Sequence, residues 1–321
     1  MEQAVKKFNN QNKFKITDII GIVLGILAVI VFTLFNPKFI SPMNLANLGQ
    51  QASINALLSL GMLLVIVTGG IDLSVGTMAG LAGVLVAGFI TQDGIPVFWS
   101  IIYVLLIGAV LGAFTGLAVV YGGIAPFIAT MAMQTIARGF TLLYTHSRSI
   151  FIKNEAFLWL GNDAILGIPI PIVIMILLTV LVQFVMRKTT FGRSLYAYGG
   201  NPNASYLAGI KNNIIVLKAY IYSAVFSSFA GIVLASRMAV GSPVVGPGMA
   251  LNAIAAVVIG GASLAGGNGN AINTLIGALI IGAISNCLNI IGMQSYMQKV
   301  VIGIIILAAV LIRTLPEKFK K

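Results

Sequence analysis

Long apolar runs recur along almost the whole chain, and they constrain its fold more than any other feature of the sequence. Only 8% of the 321 residues are charged, whereas 59% are hydrophobic and the mean hydropathy is +1.03. A soluble domain carries far more charge, about a quarter of its residues. The bilayer is therefore the main solvent of this chain, and we predict an all-α polytopic integral membrane protein.

Ten runs are candidates for transmembrane segments, since a helix rises about 1.5 Å per residue and the hydrocarbon core is about 30 Å thick. They are Ile19 to Phe35, Ala52 to Thr68, Val75 to Ile90, Val97 to Tyr121, Ala125 to Tyr144, Ile168 to Met186, Ile214 to Ala235, Leu251 to Ile259, Ala271 to Ile291 and Val300 to Ile312. Leu251 to Ile259 is too short to span alone, so we interpret it as half of a broken helix. The first run follows a basic arm, as in a signal peptide, but its length and the lack of small residues after Phe35 favour an uncleaved span.

Basic residues are distributed unevenly among the polar segments. Four lie in the N-terminal arm, five in the stretch Arg187 to Lys218 and four in the C-terminal tail, against Lys38, Arg148, Lys153 and Arg237 in other loops. This positive-inside pattern predicts that both termini and the central stretch are cytoplasmic. Six spans before the central stretch and four after it satisfy that orientation.

We expect a single transmembrane domain, residues 19–313, between a cytoplasmic arm at 1–18 and a cytoplasmic tail at 314–321. Glycines spaced four apart, at Gly108, Gly112 and Gly116, are expected to pack helices against each other. Lipid gives helices no hydrophobic reason to associate, so close backbone contact must hold them together.

The stretch Arg187 to Lys218 is the longest polar interruption, with five basic residues and no acidic one. Its centre, Gly199-Gly200-Asn201-Pro202, predicts a turn, because glycine tolerates positive φ and proline fixes φ. Short helices are predicted at Ser194 to Tyr198 and at Ala204 to Ile210, with Gly209 near a helix stop. We expect residues 187–213 to form a compact cytoplasmic loop.

An internal repeat links the two halves of the chain. Asn55-Ala56 precedes the glycine-rich run Gly69 to Gly76, and Asn252-Ala253 precedes a similar run from Gly260 to Gly267. Both runs place Leu three residues after the second glycine and another glycine three residues later. Weak symmetry with glycine-interrupted helices in matching places is typical of transporters.

Polar residues inside the apolar segments are candidates for a substrate path. Asp72 is an acidic residue at the rim of these segments, and a charge at the centre of a membrane helix costs on the order of 3 kcal/mol. Asp72 or Ser74 could cap the next helix, or Asp72 could face an aqueous path or a partner subunit. The uncharged candidates could hydrogen-bond a neutral polyol or instead join helices to each other. The full candidate set is Gln50, Gln51, Asn55, Thr68, Asp72, Ser74 and Asn252.

Several functional classes are excluded by what the sequence lacks. There is no G-x-x-x-x-G-K-[ST] phosphate loop, so we do not expect the chain to hydrolyse ATP by itself. Cys287 and His146 are the only residues of their types, and no catalytic triad or metal cluster is evident, so we expect no catalytic residue, metal or cofactor. The net charge of +12 does not predict a nucleic-acid partner, because the basic residues do not form a stripe.

Three stretches in order resemble one family. They are NLGQQASINALLSLGMLLVIVTGGIDLSVGTMAGL (Asn47 to Leu81), FGRSLYAYGGNPNASYLAGI (Phe191 to Ile210) and LNAIAAVVIGGASLAGGNGNAINTLIGALI (Leu251 to Ile280). Together they closely resemble ribose-type permeases, the membrane subunits of the ribose, xylose and galactose branch of bacterial ABC importers. The resemblance extends over nearly the whole chain. It implies a multi-pass protein of the bacterial inner membrane with a type II-like importer fold of about ten helices per subunit.

The resemblance also implies partners and a role for the central stretch. The partners are a second copy of the chain, an ATPase subunit with two nucleotide-binding domains, and a periplasmic or lipid-anchored sugar-binding protein. The stretch would be a coupling helix that docks into a groove on the ATPase. The family pattern falls on Gly192, Arg193, Ala197, Gly199, Gly200, Asn201, Ala204, Gly209 and Ile210. Ser205 stands where the family has the second of two alanines.

Such a permease would import a small neutral monosaccharide, with ribose expected and a nucleoside or another polyol as alternatives. An ion-coupled secondary transporter is a different class, which only the repeat and Asp72 support. A proton-coupled carrier usually has several ionisable residues at membrane depth, and this chain has one at a helix boundary.

Overall fold

The computed structural model describes residues 33, 37–294, 296–305 and 307, and within them the chain is almost entirely helical. Its α-helices are α1 (Pro42–Val67), α2 (Val75–Thr91), α3 (Val97–Val120), α4 (Pro126–Thr145), α5 (Glu155–Asn162), α6 (Ile170–Lys188), α7 (Thr190–Gly200), α8 (Pro202–Leu207), α9 (Asn212–Met238), α10 (Met249–Ile259), α11 (Ala271–Ile290) and α12 (Tyr296–Ile305). A short 3-10 helix, Pro37–Ile40, precedes α1. The predicted all-α polytopic fold class is confirmed.

Five of the described helices are long and apolar enough to cross a membrane, namely α1, α3, α6, α9 and α11. The apolar helices α2, α10 and α12 are shorter. The prediction that Leu251 to Ile259 cannot span alone is confirmed, since α10 has 11 residues. The predicted span Ile19 to Phe35 lies outside the described residues apart from Thr33, and so does part of Val300 to Ile312.

Helix α1 begins earlier than the predicted span Ala52 to Thr68, so that boundary was wrong. Ser41 caps the helix by accepting a hydrogen bond from the Asn44 backbone N–H at 3.4 Å, and Pro42 occupies the first helical position. The Asn44 amide also exchanges two hydrogen bonds of 2.9 Å with Asn286 of α11. The first turns of α1 are therefore polar but helical, and a search for apolar runs does not include them.

Helices α1, α2, α3 and α9 form a first group, in which α9 packs against the other three. The contact with α3 depends on glycine. A methyl carbon placed on Gly112 would lie 2.6 Å from the Cβ of Ala224, and one placed on Gly108 would lie 2.1 Å from the Ser228 hydroxyl oxygen. Gly116 makes the same kind of contact one turn further on. The prediction that these glycines pack helices is confirmed.

Helices α10 and α11 pack against each other and against α1. Their contacts also use glycine, because a methyl carbon on Gly277 would lie 2.0 Å from the Ala256 carbonyl oxygen of α10. Gly282 approaches Ala52 of α1, with 3.0 Å between a methyl carbon placed on it and the Cβ of Ala52. Helix α1 therefore joins the two groups of helices and is buried along most of its length.

Short strands and α5 form one end of the bundle. β1 (Ile150–Phe151) pairs antiparallel with β4 (Val240–Gly241), and β2 (Ala164–Ile165) pairs antiparallel with β3 (Ile168–Pro169). Helix α6 starts immediately after β3 and, at about 1.5 Å per residue, runs about 28 Å to reach α7. The strands and the pair α7–α8 therefore lie at opposite ends of α6.

Candidate functional site

The central basic stretch folds into α7 and α8, which are separated at Asn201. This residue leaves the helix with an extended φ of −161° and caps α8 by accepting a hydrogen bond from the Ala204 N–H at 3.0 Å. Pro202 occupies the first position of α8. The turn predicted within Gly199-Gly200-Asn201-Pro202 is confirmed and lies at Asn201, whereas Gly199 and Gly200 end α7 in helical conformation.

The residues predicted to couple to an ATPase divide between two faces of this helix pair. Gly192 and Gly199 face the bundle, since a methyl carbon on Gly192 would lie 2.1 Å from the Met186 carbonyl oxygen. The outward set consists of Arg193, Ala197, Gly200, Asn201, Ala204 and Gly209, all exposed. Ile210 is partly buried. The sequence pattern thus combines residues that hold α7 in place with residues that are free to contact a partner.

Large apolar side chains lie next to the small outward residues. Tyr206 and Leu207 on α8 are 73% and 85% exposed. The basic residues of the stretch are also exposed, namely Arg187, Lys188, Arg193, Lys211 and Lys218. We call the outward residues Arg193, Ala197, Gly200, Asn201, Ala204, Tyr206, Leu207 and Gly209 the coupling surface, after the role that the sequence resemblance predicts for this stretch.

Three glycine pairs meet beneath the coupling surface. They are Gly69-Gly70, Gly199-Gly200 and Gly266-Gly267, and we call this meeting point the glycine junction. The Gly267 N–H donates to the Val67 carbonyl at 2.9 Å, which joins the loop after α10 to the end of α1. A methyl carbon on Gly199 would lie 1.8 Å from that same carbonyl oxygen, and one on Gly266 would lie 2.9 Å from the Gly69 nitrogen.

The glycine junction brings both copies of the internal repeat against α7. Gly69 and Gly266 have positive φ values of 81° and 88°, a region that side chains with a Cβ rarely occupy. The two repeat loops therefore contact each other and α7 at one place. All three glycine pairs lie in stretches that the sequence singled out, but their meeting was not predicted.

Asp72 lies in the loop between α1 and α2 and is 2% exposed. One carboxylate oxygen accepts hydrogen bonds from the Ser74 N–H at 3.0 Å and the Ser74 hydroxyl at 2.5 Å. The other accepts from the Ser223 hydroxyl of α9 at 2.7 Å. Asp72 thus accepts a hydrogen bond from the backbone N–H of Ser74, the residue just before α2, and also joins the loop of the first repeat to α9. The Ser74 hydroxyl does not cap α2.

Next to this network, the Tyr220 hydroxyl is buried and has no hydrogen-bond partner within the described part of the chain. It contacts the loop backbone, because a methyl carbon on Gly70 would lie 2.6 Å from the hydroxyl oxygen. Tyr220 and Ser223 lie one turn apart on α9, so the helix presents two hydroxyls to the same loop.

The predicted path residues do not gather into one pocket. Gln50 and Thr68 lie near opposite ends of α1, and Asn252 lies on α10. The Gln50 side-chain oxygen accepts a hydrogen bond from Arg237 at 3.3 Å, and the Thr68 hydroxyl donates to the Val65 carbonyl at 2.6 Å. The side-chain amides of three candidates have no hydrogen-bond partner among the residues that the structure describes, namely Gln51, Asn55 and Asn252.

An open cavity of about 700 Å³ lies at the strand end of the bundle. Its lining includes Gln92, Tyr144, His146 and Arg148. None of the predicted path residues lines it. His146, one of the lining residues, ends α4 with a left-handed φ of 47°.

Comparison with known proteins identifies the family. The profile described as branched-chain amino acid transport system / permease component matches residues 44–310. The chain belongs to this permease family. The match includes all but the first two residues of α1, the coupling surface, both repeat loops and α12.

Curated relatives narrow the relationship to sugar permeases. The ribose import permease protein RbsC of Bacillus subtilis is 45% identical over 296 residues, covering 91% of this chain and 92% of the relative. RbsC of Escherichia coli K12 is 42% identical over 295 residues, covering 91% of each chain. The D-allose transport system permease protein AlsC of the same organism is 34% identical over 296 residues, covering 92% of this chain and 91% of the relative. No solved structure gives a significant match.

These findings confirm the predicted resemblance to ribose-type permeases of ABC importers. The permease is a multi-pass membrane protein, as the apolar helices also indicate. A permease of an ABC importer works with an ATPase and a sugar-binding protein, and its relatives are transport subunits rather than enzymes.

Sequence reasoning missed the residues that hold the coupling helices to the bundle. The Tyr196 hydroxyl of α7 donates to the Gly269 carbonyl at 2.7 Å, and the Gln183 side chain of α6 accepts from the Ala271 N–H at 3.1 Å. Ser223, the partner of Asp72, was also missed. No signal in a single sequence links residues so far apart along the chain.

Proposed function

We propose that this permease imports ribose into the bacterial cell, and that ATP hydrolysis on a separate subunit drives the import. The observation that carries the proposal is the identity of 41–45% to ribose import permeases over about nine-tenths of the chain. The more distant D-allose permease makes other monosaccharides the next candidates, followed by a nucleoside or another polyol.

The coupling surface is proposed to dock on an ATPase subunit with two nucleotide-binding domains. Small residues at Gly200 and Ala204 would allow close approach, and Tyr206 and Leu207 supply apolar area that the described residues leave exposed. The exposed basic side chains around them would attract an acidic rim on the ATPase groove. Together these features support residues 187–213 as the cytoplasmic coupling loop.

The assembly is proposed to contain two copies of the permease in the inner membrane, with both termini in the cytoplasm and residues 19–313 as the membrane domain. A periplasmic or lipid-anchored sugar-binding protein would deliver the sugar at the strand end. Three path candidates on α1 and α10, Gln51, Asn55 and Asn252, have side-chain amides without a partner among the described residues, and these could bind sugar hydroxyls in turn. Such exchange suits a neutral sugar, because no charge traps it.

Reconstitution tests this proposal. Proteoliposomes that contain the permease, its ATPase and the sugar-binding protein should take up labelled ribose only when ATP and the binding protein are both supplied. An excess of unlabelled ribose should compete, and an excess of a nucleoside should not. If a nucleoside competes and ribose does not, the transported substrate is a nucleoside rather than ribose. Uptake driven by an ion gradient in vesicles without the ATPase would overturn the importer function itself.

A further inference from the structure

Two hydrogen bonds, one from α6 and one from α7, hold the start of α11. The Tyr196 hydroxyl donates to the Gly269 carbonyl at 2.7 Å, and the Gln183 side-chain oxygen accepts from the Ala271 N–H at 3.1 Å. Between these two residues, Asn270 caps α11 by accepting from its first free N–H groups. The three-residue segment Gly269 to Ala271 is therefore hydrogen-bonded to both α6 and α7.

Helices α6 and α7 form a closely packed pair, so their two bonds act on α11 together. A methyl carbon on Gly192 of α7 would lie 2.1 Å from the Met186 carbonyl oxygen near the end of α6. Such backbone contact leaves no room for one helix to slide on the other. Burial raises the pKa of Tyr196 to about 12, so its hydroxyl stays protonated and remains a donor at physiological pH.

The other end of this connection is α10 and α1, which carry several of the path candidates. Helix α11 contacts α10 through Gly277 and α1 through Gly282, with the close approaches described above. Because packed interiors transmit displacement, movement of the α11 start would reposition both α10, which carries Asn252, and α1, which carries Gln51 and Asn55.

We propose that Tyr196 and Gln183 are positioning residues that transmit displacement of the coupling surface to α11 through Gly269 to Ala271. The inference rests on the proposed importer function and names the contacts that link ATP hydrolysis to sugar movement. It predicts that loss of either bond leaves the ATPase docked and active while fewer sugars move for each ATP hydrolysed.

The test uses the complete importer in proteoliposomes and measures ribose uptake and ATP hydrolysis in the same sample. Tyr196→Phe keeps the ring and removes only the hydroxyl, and Gln183→Met keeps the side-chain length and removes the acceptor. Tyr121→Phe is the matched control, since Tyr121 is 65% exposed at the end of α3. Each test variant should lower the number of sugars per ATP about twofold to tenfold, the range that one hydrogen bond allows.

The variant that combines both changes adds a second readout. Because both bonds hold the same three residues, its loss should differ from the product of the two single losses. An unchanged ratio of sugars to ATP in both single variants would overturn the inference. Loss of assembled importer in both would also overturn it, because the two residues would then be structural only. Failure of the unaltered importer to need ATP would instead contradict the proposed function, so the two failures are distinguishable.

Discussion

Gly199 lies against Val67 so closely that a methyl carbon on Gly199 would be 1.8 Å from the Val67 carbonyl oxygen. At the next residue, Gly200, no described neighbouring atom lies within 4 Å of such a carbon. Two adjacent glycines of the same helix therefore have different roles. Gly199 allows α7 to pack closely against the end of α1, and Gly200 adds no side chain to the coupling surface.

This difference predicts opposite effects of the same substitution. Gly199→Ala should destabilise the permease by about 1–3 kcal/mol or more, because backbone atoms cannot move aside as a flexible side chain could. Gly200→Ala should leave stability unchanged or slightly raised, since alanine favours a helix. Thermal unfolding of the two variants in the same detergent measures the effect. Equal melting temperatures would show that the contact at Gly199 is not close-packed.

Removal of the Asp72 carboxylate distinguishes a structural role, holding the loop to α9, from a role in the substrate path or in gating. Asp72→Asn retains an oxygen for Ser74 and can donate to the Ser223 hydroxyl, so we expect normal abundance and most of the uptake. Asp72→Leu leaves a backbone N–H and two hydroxyls without their acceptor, at about 1–3 kcal/mol for each group, so we expect little protein in the membrane. If Asp72→Asn gives normal abundance without uptake, Asp72 acts in the path or in gating rather than in holding the loop to α9.

Two hydroxyls one turn apart on α9 should behave differently when removed. Tyr220→Phe deletes a buried hydroxyl that has no partner in the described part of the chain, so stability should be unchanged or increased. Ser223→Ala deletes a donor to Asp72 and should lower stability by about 1–3 kcal/mol. Denaturation of both variants under one condition gives the comparison. A larger loss in Tyr220→Phe than in Ser223→Ala would contradict the hydrogen bonding described for this loop.

The spans and the coupling stretch could be predicted from the sequence because they depend on local composition. Apolar runs gave α3 and α4 to within about two residues, an error that is usual for helix ends. The start of α1 could not be predicted in this way, since its polar residues are satisfied by Asn286 on a distant helix. Ser41 and Pro42 were the local signals that could have located it.

The arrangement of the candidate site could be predicted only in part. The family pattern selected Gly192 and Gly200 alike, although one packs on Met186 and the other is exposed. Their roles depend on which face of α7 meets the bundle, and the short amphipathic pattern of α7 does not specify what lies beneath it. The meeting of Gly69 with Gly266 depends on the packing of two separate loops, which one sequence does not encode locally.

Labelling from one side of the membrane tests the predicted orientation. After Cys287→Ser removes the sole cysteine, a cysteine introduced at Asn201 should react with an impermeant reagent only from the cytoplasmic side. A cysteine introduced at Leu166, which is 98% exposed at the strand end, should react only from outside. Labelling of the Asn201 position in intact cells, with the outer membrane opened, would invert the topology.

The central claim is that the coupling surface docks on the ATPase, and crosslinking in the assembled importer tests it most directly. A photoreactive residue at Ala204 should crosslink to the ATPase subunit and not to the sugar-binding protein. The same residue at Leu166, beyond the other end of α6, a helix about 28 Å long, should never crosslink to the ATPase. A crosslink from Ala204 to the sugar-binding protein, or from Leu166 to the ATPase, would contradict the account.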